Sequence, residues 1–362
     1  MEKAMEINEM IELFERRKKE REQKMADFYL GDGKYLVVQN PGGSFYNKCN
    51  TVPDLVAGNL ESFANWLRVD YTDDLPYLEP WFGVGVYANA FGCEYMWREN
   101  ESPATHYKYL KIDEVKNIEY PDWRKSPVMQ TVLNGIDSLK EQTKGQLPIA
   151  LTDTQSPFDT ATLILDATEF FTACYTDEEI VMDFMGKITD LIIEFSKVQI
   201  ERIGKELLAK PGHLMPSGTF LNGISLSDDN LAVSSPHINQ KIALPFNDKI
   251  SKEFGGLAVH SCGVWAHTMK LLTQYDDIYM VECALSKECD PNPNKPSEAR
   301  DALKGSGMIL KTRVGGNLEE IDKILDDLAA PDLKLIVQIA YNEEDAEKKY
   351  KFVNEKLAAI YG

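Results

Sequence analysis

From about Gln146 onward the chain alternates between short apolar runs and longer amphipathic stretches, and nothing else in it constrains the fold as tightly. The short runs are Leu147-Pro148-Ile149-Ala150-Leu151, Thr219 to Leu226, Leu257 to His260, Ile278 to Val281, Met308 to Val314 and Leu333 to Ala340. Helical patterns follow them over Glu178 to Leu208, Pro236 to Phe254, Ala266 to Tyr275, Ser297 to Lys304, Leu318 to Leu328 and Glu343 to Ala358. Parallel strands need a crossover between them, and a helix is the usual way to supply it. Two more strands fit in the first hundred residues, near Tyr35 and near Val69-Asp70-Tyr71. Eight such units predict an α/β chain folded as a single (β/α)8 barrel of the TIM type over residues 34–362. Residues 1–33, charged and helical, read as an N-terminal helical extension capping one end. A doubly wound open sheet is the competing topology, but no Gly-x-Gly-x-x-Gly follows any strand to support it.

Composition narrows the function. The 362 residues carry 58 acidic against 39 basic side chains, a formal charge of −19, which argues against nucleic-acid binding. No apolar run is long enough to span a membrane, and the acidic start is not a secretory signal. The expected compartment is the cytoplasm. Six cysteines are too few for a disulfide scaffold of this length, so they read as free thiols or metal ligands.

In such a barrel the chemistry sits where strands end. His260-Ser261-Cys262-Gly263 emerges directly behind Leu257 to Val259, and period-two geometry turns His260 and Cys262 to one side. An imidazole and a thiol there suit a zinc or thiolate site. The next strand ends in Glu282-Cys283, whose members point oppositely, so either Glu282 or Cys283 supplies a third metal ligand. Cys289, in the following loop, could reach back, although an idle loop cysteine is the plainer reading. Asp228-Asp229 stands between a strand and a helix start, where an aspartate caps the helix, orients a substrate or moves a proton. Trp81, Asp153, Gln155 and Asn222 are the candidate substrate-binding residues. His106, His213, His237 and His267 have no ligand-like neighbour in sequence and read as structural. Lys311 and Arg313 either bind an anion or form ion pairs.

From roughly Tyr35 to the C-terminus the chain resembles the uroporphyrinogen decarboxylase superfamily. The resemblance is carried by Phe91-Gly92-Cys93, Ser227-Asp228-Asp229-Asn230-Leu231, Ser234-Ser235-Pro236 with Leu244-Pro245-Phe246, Val259-His260-Ser261-Cys262-Gly263 and Gly316-Asn317-Leu318. It implies a (β/α)8 barrel with its site at the C-terminal mouth. The decarboxylase branch implies an arginine-bearing motif near the first strand that holds substrate carboxylates. Here the corresponding stretch, Val38-Gln39-Asn40-Pro41-Gly42-Gly43, has no arginine. The cobamide-dependent methyltransferases and cobalamin-independent methionine synthase are similar through His-x-Cys, which implies two zinc ligands in His260 and Cys262. In methionine synthase a glutamate on the next strand is a third ligand, and Glu282 occupies a comparable place. The methyltransferases also carry a cysteine after the last strand, where this chain has Ile339-Ala340-Tyr341.

The resulting expectation is a zinc-dependent methyltransferase. It moves a methyl group between a small substrate (a methoxylated aromatic, as in O-demethylation, a methylamine or a thiol) and a corrinoid. The chain has no cobalamin-binding Asp-x-His-x-x-Gly motif, so cobalamin is expected on a partner protein. Zinc is held by His260, Cys262 and Glu282 or Cys283, while Asp228, Asp229 and Tyr341 act on the substrate. The alternatives are a metal-free decarboxylase of a carboxylate substrate, and a non-catalytic binding protein in which His260 and Cys262 are relics.

Overall fold

Six parallel strands among the described residues form one curved sheet: β1 (Tyr35–Val38), β4 (Ile224–Ser227), β5 (Leu257–His260), β6 (Ile278–Ala284), β7 (Ile309–Val314) and β8 (Lys334–Ile339). The order is β1-β8-β7-β6-β5-β4. The short β2 (Tyr95–Met96) and β3 (Ala104–Thr105) make a separate antiparallel pair. These features come from a computed structural model describing residues 5–41 and 49–362, so Gly42 and Gly43 of the stretch after β1 lie outside the described residues.

Extended chain completes the circle where the ladder is missing. The Asp73 N–H donates to the Val37 carbonyl at 3.1 Å. Side chains then stand in for further ladder bonds, since the Val37 N–H donates to Asp73 Oδ2 and the Gln39 N–H to Thr72 Oγ1. Leu78 bridges Ile149, Ile149 bridges Leu208, and Gln155 bridges Ser227, all in parallel sense. The barrel therefore closes as expected, with two of its eight positions irregular. Val69-Asp70-Tyr71 is not a strand: Val69 caps the helix Val52–Arg68, and pairing starts at Thr72. Leu147 to Leu151 is extended and joined only by isolated bridges, to Leu78 through the Pro148 carbonyl and Ala150 N–H and to the chain around Leu208 through Ile149.

The helices follow the apolar periodicity, with two instructive departures. Pro236 to Phe254 is a single helical pattern in the sequence, yet it contains a π turn over Asn239–Ala243. Pro245 has no N–H for the carbonyl four residues back, so the ladder shifts there. The long N-terminal helix, Ile7–Leu30, does more than cap an end. Met10, Phe14, Met25 and Phe28 are buried in the common core. Arg21 is buried with them, and its guanidinium donates to the carbonyls of Asp74 at 2.8 Å and Val69 at 2.5 Å.

Arg21 thus holds the irregular turn that replaces the second strand. Arg21→Ala should lower the unfolding free energy by about 2–4 kcal/mol, because two buried carbonyls lose a charged donor. Urea denaturation of the two proteins measures this; a difference within 0.5 kcal/mol, as at an ordinary surface position, would show that the turn holds itself.

Candidate active site

Strands β5, β6 and β7 bring one layer of charged groups together inside the barrel. His260 pairs with Glu282, and Glu282 with Lys311, so the three side chains face the same way. One Glu282 oxygen accepts from His260 Nδ1. The other accepts from Arg313 Nε at 2.7 Å and Lys311 Nζ at 3.3 Å. Burial pushes the Glu282 carboxyl up, but Lys311, Arg313 and His260 outweigh it and hold the group well below the usual range. Burial in turn pulls the Lys311 ammonium down, against Glu282. An ionised Glu282 accepts only, so Nδ1 of His260 keeps its hydrogen and Nε2 presents a lone pair.

That lone pair looks at two further donors. Cys262 Sγ lies 3.4 Å from His260 Nε2, and Asp229 Oδ1 lies 3.8 Å from it. Asp229, His260 and Cys262 form a group whose ligand atoms all lie within 4.8 Å of one another. The Cys262 residue is exposed overall, with its sulfur half-buried against the imidazole. Partial burial and the Asp229 carboxylate push its thiol up to about 12, so it is a thiol rather than a thiolate unless a cation joins it.

The loops bearing these groups are stapled by neighbouring side chains. Asp159 accepts the N–H groups of Asp229 and Asn230, both at 2.8 Å, although burial and the two nearby aspartates push its carboxyl up. The Cys262 N–H donates to Asp229 Oδ1 at 2.7 Å, tying the two loops together. Gly263 turns the chain at φ +73°, a region that favours glycine, and its N–H donates to Asp290 Oδ2 at 2.8 Å. Asn294 accepts from the N–H groups of Trp265 and Ala266 and donates to the Gly263 carbonyl.

The sequence-based candidates divide accordingly. Glu282 is not in the ligand group but behind it, orienting His260, and Asp229 takes the third place instead. Cys283 is fully buried on the opposite face of β6, where burial raises its thiol above the usual range, so it is removed from the ligand set. Asp228, the residue after β4 and before the 3-10 turn Asp229–Leu231, is turned toward Asn247 of the helix Leu244–Phe254 and away from the Asp229 group. It is fully buried, accepts from Asn247 Nδ2 at 2.8 Å, and burial pushes its carboxyl up to about 7. Tyr341 lies two residues past β8, partly exposed, with no hydrogen bond to the group among the described residues. Asn222 precedes β4 and is exposed at the N-terminal end of the barrel, the wrong end for substrate. Trp81 is buried just beyond the irregular second strand position.

Asp153 and Gln155 belong to a second interior group that includes His213, a residue with no ligand-like neighbour in sequence. Asp153 accepts from Ser227 Oγ at 2.8 Å and Gln155 Nε2 at 3.0 Å. His213 Nε2 lies 3.6 Å from Asp153 Oδ2, and its Nδ1 lies 2.6 Å from Glu79 Oε1. Glu79 and His213 are distant from each other in sequence and stand in no motif, so nothing local marked them. The loop residues Asp290 and Asn294 did carry a signal, the turn-rich Asp290-Pro291-Asn292-Pro293-Asn294.

Comparison with known proteins sets this geometry in context. The profile of uroporphyrinogen decarboxylase (URO-D) matches residues 81–206. The match is to the uroporphyrinogen decarboxylase family. It takes in Trp81, Asp153 and Gln155 and stops before His260 and Cys262. The resemblance read from the sequence is borne out over this stretch, which holds Phe91-Gly92-Cys93, while its other segments, from Ser227 onward, lie beyond it. A methyltransferase from Methanosarcina mazei has a similar fold, with a TM-score of 0.60 over 94% of this chain and 99% of that chain, at 13% identity. No curated protein sequence matches.

The His213 group makes a pH prediction. Burial lowers the imidazolium's pKa, but Asp153 and Glu79 outweigh it and raise it to about 9 from an ordinary value of about 6.5. The raised group contributes stability that is whole below pH ~6.5 and is lost as pH climbs through about 9. His213→Gln should remove a decline of at most about 1.4 kcal/mol per pH unit across that window. Unfolding free energies measured from pH 6 to 10 test it; parallel curves for the two proteins would refute the assignment.

Proposed function

We propose that this chain is a zinc-dependent methyltransferase that moves a methyl group between a small substrate and a corrinoid carried by a partner protein. The observation that carries this reading is the Asp229–His260–Cys262 group, with one nitrogen, one sulfur and one oxygen donor at the C-terminal mouth. The donors fit zinc. Bonds of about 2.0–2.3 Å to a common tetrahedral centre put donor atoms about 3.5 Å apart, and the separations here are 3.4 and 3.8 Å. Three protein donors leave the fourth position open, as catalytic zinc sites do. Bound zinc would supply Lewis acidity toward a thiol, ether or amine at that position.

The chain's own residues do the positioning. Glu282 holds the Nδ1 hydrogen of His260 and so keeps Nε2 available, the carboxylate–histidine arrangement that raises ligand basicity. Lys311 and Arg313 keep Glu282 ionised and away from the donor group. Asp159, Asp290 and Asn294 fix the loops, so the donors converge with little freedom to lose. A methyl group passing from the heteroatom to cob(I)alamin would leave its bonding pair on the heteroatom while cobalt supplied the new pair; in the reverse direction the thiolate would supply the pair and cobalt would keep that of the broken bond. A partner's corrinoid would have to reach the mouth, the end where Asp229, His260 and Cys262 lie.

A second reading, a metal-free decarboxylase, is favoured by the family match over residues 81–206 and by the two cations on β7. Metal content separates the two. Protein purified without chelators should hold about one zinc per chain, lost in His260→Ala, Cys262→Ala and Asp229→Ala and kept in Cys283→Ala. Glu282→Gln should weaken zinc binding by about 10–100-fold. Absence of bound zinc after reconstitution under reducing conditions would overturn the methyltransferase reading and leave the decarboxylase.

A further inference from the structure

One layer closer to the mouth than His260, Glu282 and Lys311 lie the residues two positions further along each strand. Cys262 follows His260, Ala284 follows Glu282, and Arg313 follows Lys311; Ala284 pairs with Arg313, and Arg313 with Gln338 of β8. Residues paired in a parallel sheet face the same side, so this layer lines the mouth. Between the thiol and the guanidinium it offers only the methyl group of Ala284.

Arg313 has unspent hydrogen-bonding capacity there. Its Nε donates to Glu282 and its Nη1 to the Cys289 carbonyl at 3.3 Å. Its Nη2 is buried with no partner. Leaving such a donor unmet costs about 1–3 kcal/mol, more for a charged group. Gln338, half-buried, makes no side-chain hydrogen bond among the described residues and is its cross-strand neighbour. Charge points the same way. The interior cations Lys311 and Arg313 both stand on the β7 wall, paired with Glu282, while Asp229 and Asp290 lie on the loop side near Cys262. Across the barrel two carboxylates, Glu79 and Asp153, flank the imidazole of His213, so the guanidinium donor for an anion is on the β7 wall.

We propose that Arg313 Nη2 and the Gln338 amide form an oxyanion subsite, and that the small molecule handled beside Cys262 carries a carboxylate. A planar carboxylate matches the in-plane donors of a guanidinium and can take a second hydrogen bond from the Gln338 amide. The proposal rests on the methyltransferase reading for what happens next to Cys262, but the subsite itself needs no metal.

The test therefore uses carboxylate binding in zinc-loaded and zinc-stripped protein. Calorimetric titrations compare acetate, 3-mercaptopropionate and 4-methoxybenzoate with the uncharged amide of each. At least one acid should bind about tenfold or more tighter than its amide in both metal states. Arg313→Gln should abolish that preference, and Gln338→Leu, which leaves the Glu282 cluster intact, should reduce it. The proposal is overturned if no acid binds, if acid and amide bind alike, or if the preference survives in folded Arg313→Gln. Should Arg313→Gln fail to fold, an unchanged preference in Gln338→Leu overturns it. Retained preference in a protein that takes up no zinc would sink the metal reading and leave the subsite standing.

Discussion

Glu282 is a carboxylate buried at the centre of a barrel, and a lone ion there would be untenable. It stays ionised because Lys311 and Arg313 approach one oxygen and His260 the other. Replacing such a cluster with apolar side chains often costs nothing in stability, so its value lies elsewhere. It determines which imidazole nitrogen carries the hydrogen, and hence that Nε2 faces Cys262 and Asp229 as a donor. The strands enforce the arrangement, since β5, β6 and β7 are neighbours and their pairing puts imidazole, carboxylate and ammonium in one row.

The mouth is built on the same economy. Its loops are short, and their backbone N–H groups are met by Asp159, Asp290 and Asn294 instead of by a longer ladder. These side chains touch no ligand atom directly except through the turns they hold. On the other side of the barrel the irregular closure is held in a similar way, by Asp73, Thr72 and Arg21. The stretch matching uroporphyrinogen decarboxylase, residues 81–206, covers the Asp153 side, while the His-x-Cys side lies beyond it. The two interior clusters are assembled differently: Glu79, Asp153 and His213 come from widely separated parts of the chain, whereas His260, Glu282, Lys311 and Arg313 come from three successive strands.

Some of the site was legible because the relevant geometry is local. His260 and Cys262 are two residues apart at a strand end, and period-two alternation is enough to put them on one side. The same alternation implied that only one of Glu282 and Cys283 could face inward, without saying which. Asp228 and Asp229 lie past the strand, where a 3-10 turn and not alternation sets their directions, so the sequence leaves both as catalytic candidates. Asn222 was misplaced for a different reason: a strand's direction within the barrel decides which end is the mouth, and Asn222 precedes β4 rather than following it.

By itself the sequence determined the barrel class, because short apolar runs alternating with crossover-length helical segments have few other parallel solutions. It also determined that His260 and Cys262 share one side, since their spacing is a property of one strand end. Only the tertiary structure decided that Asp229 rather than Glu282 or Cys283 completes the group, and that His213 shares a buried network with Glu79 and Asp153. Those outcomes depend on which strands become neighbours, on the depth to which each residue is set, and on how strongly buried charges compensate one another. Such quantities are summed over side chains far apart in the chain, and no local pattern of residues records them.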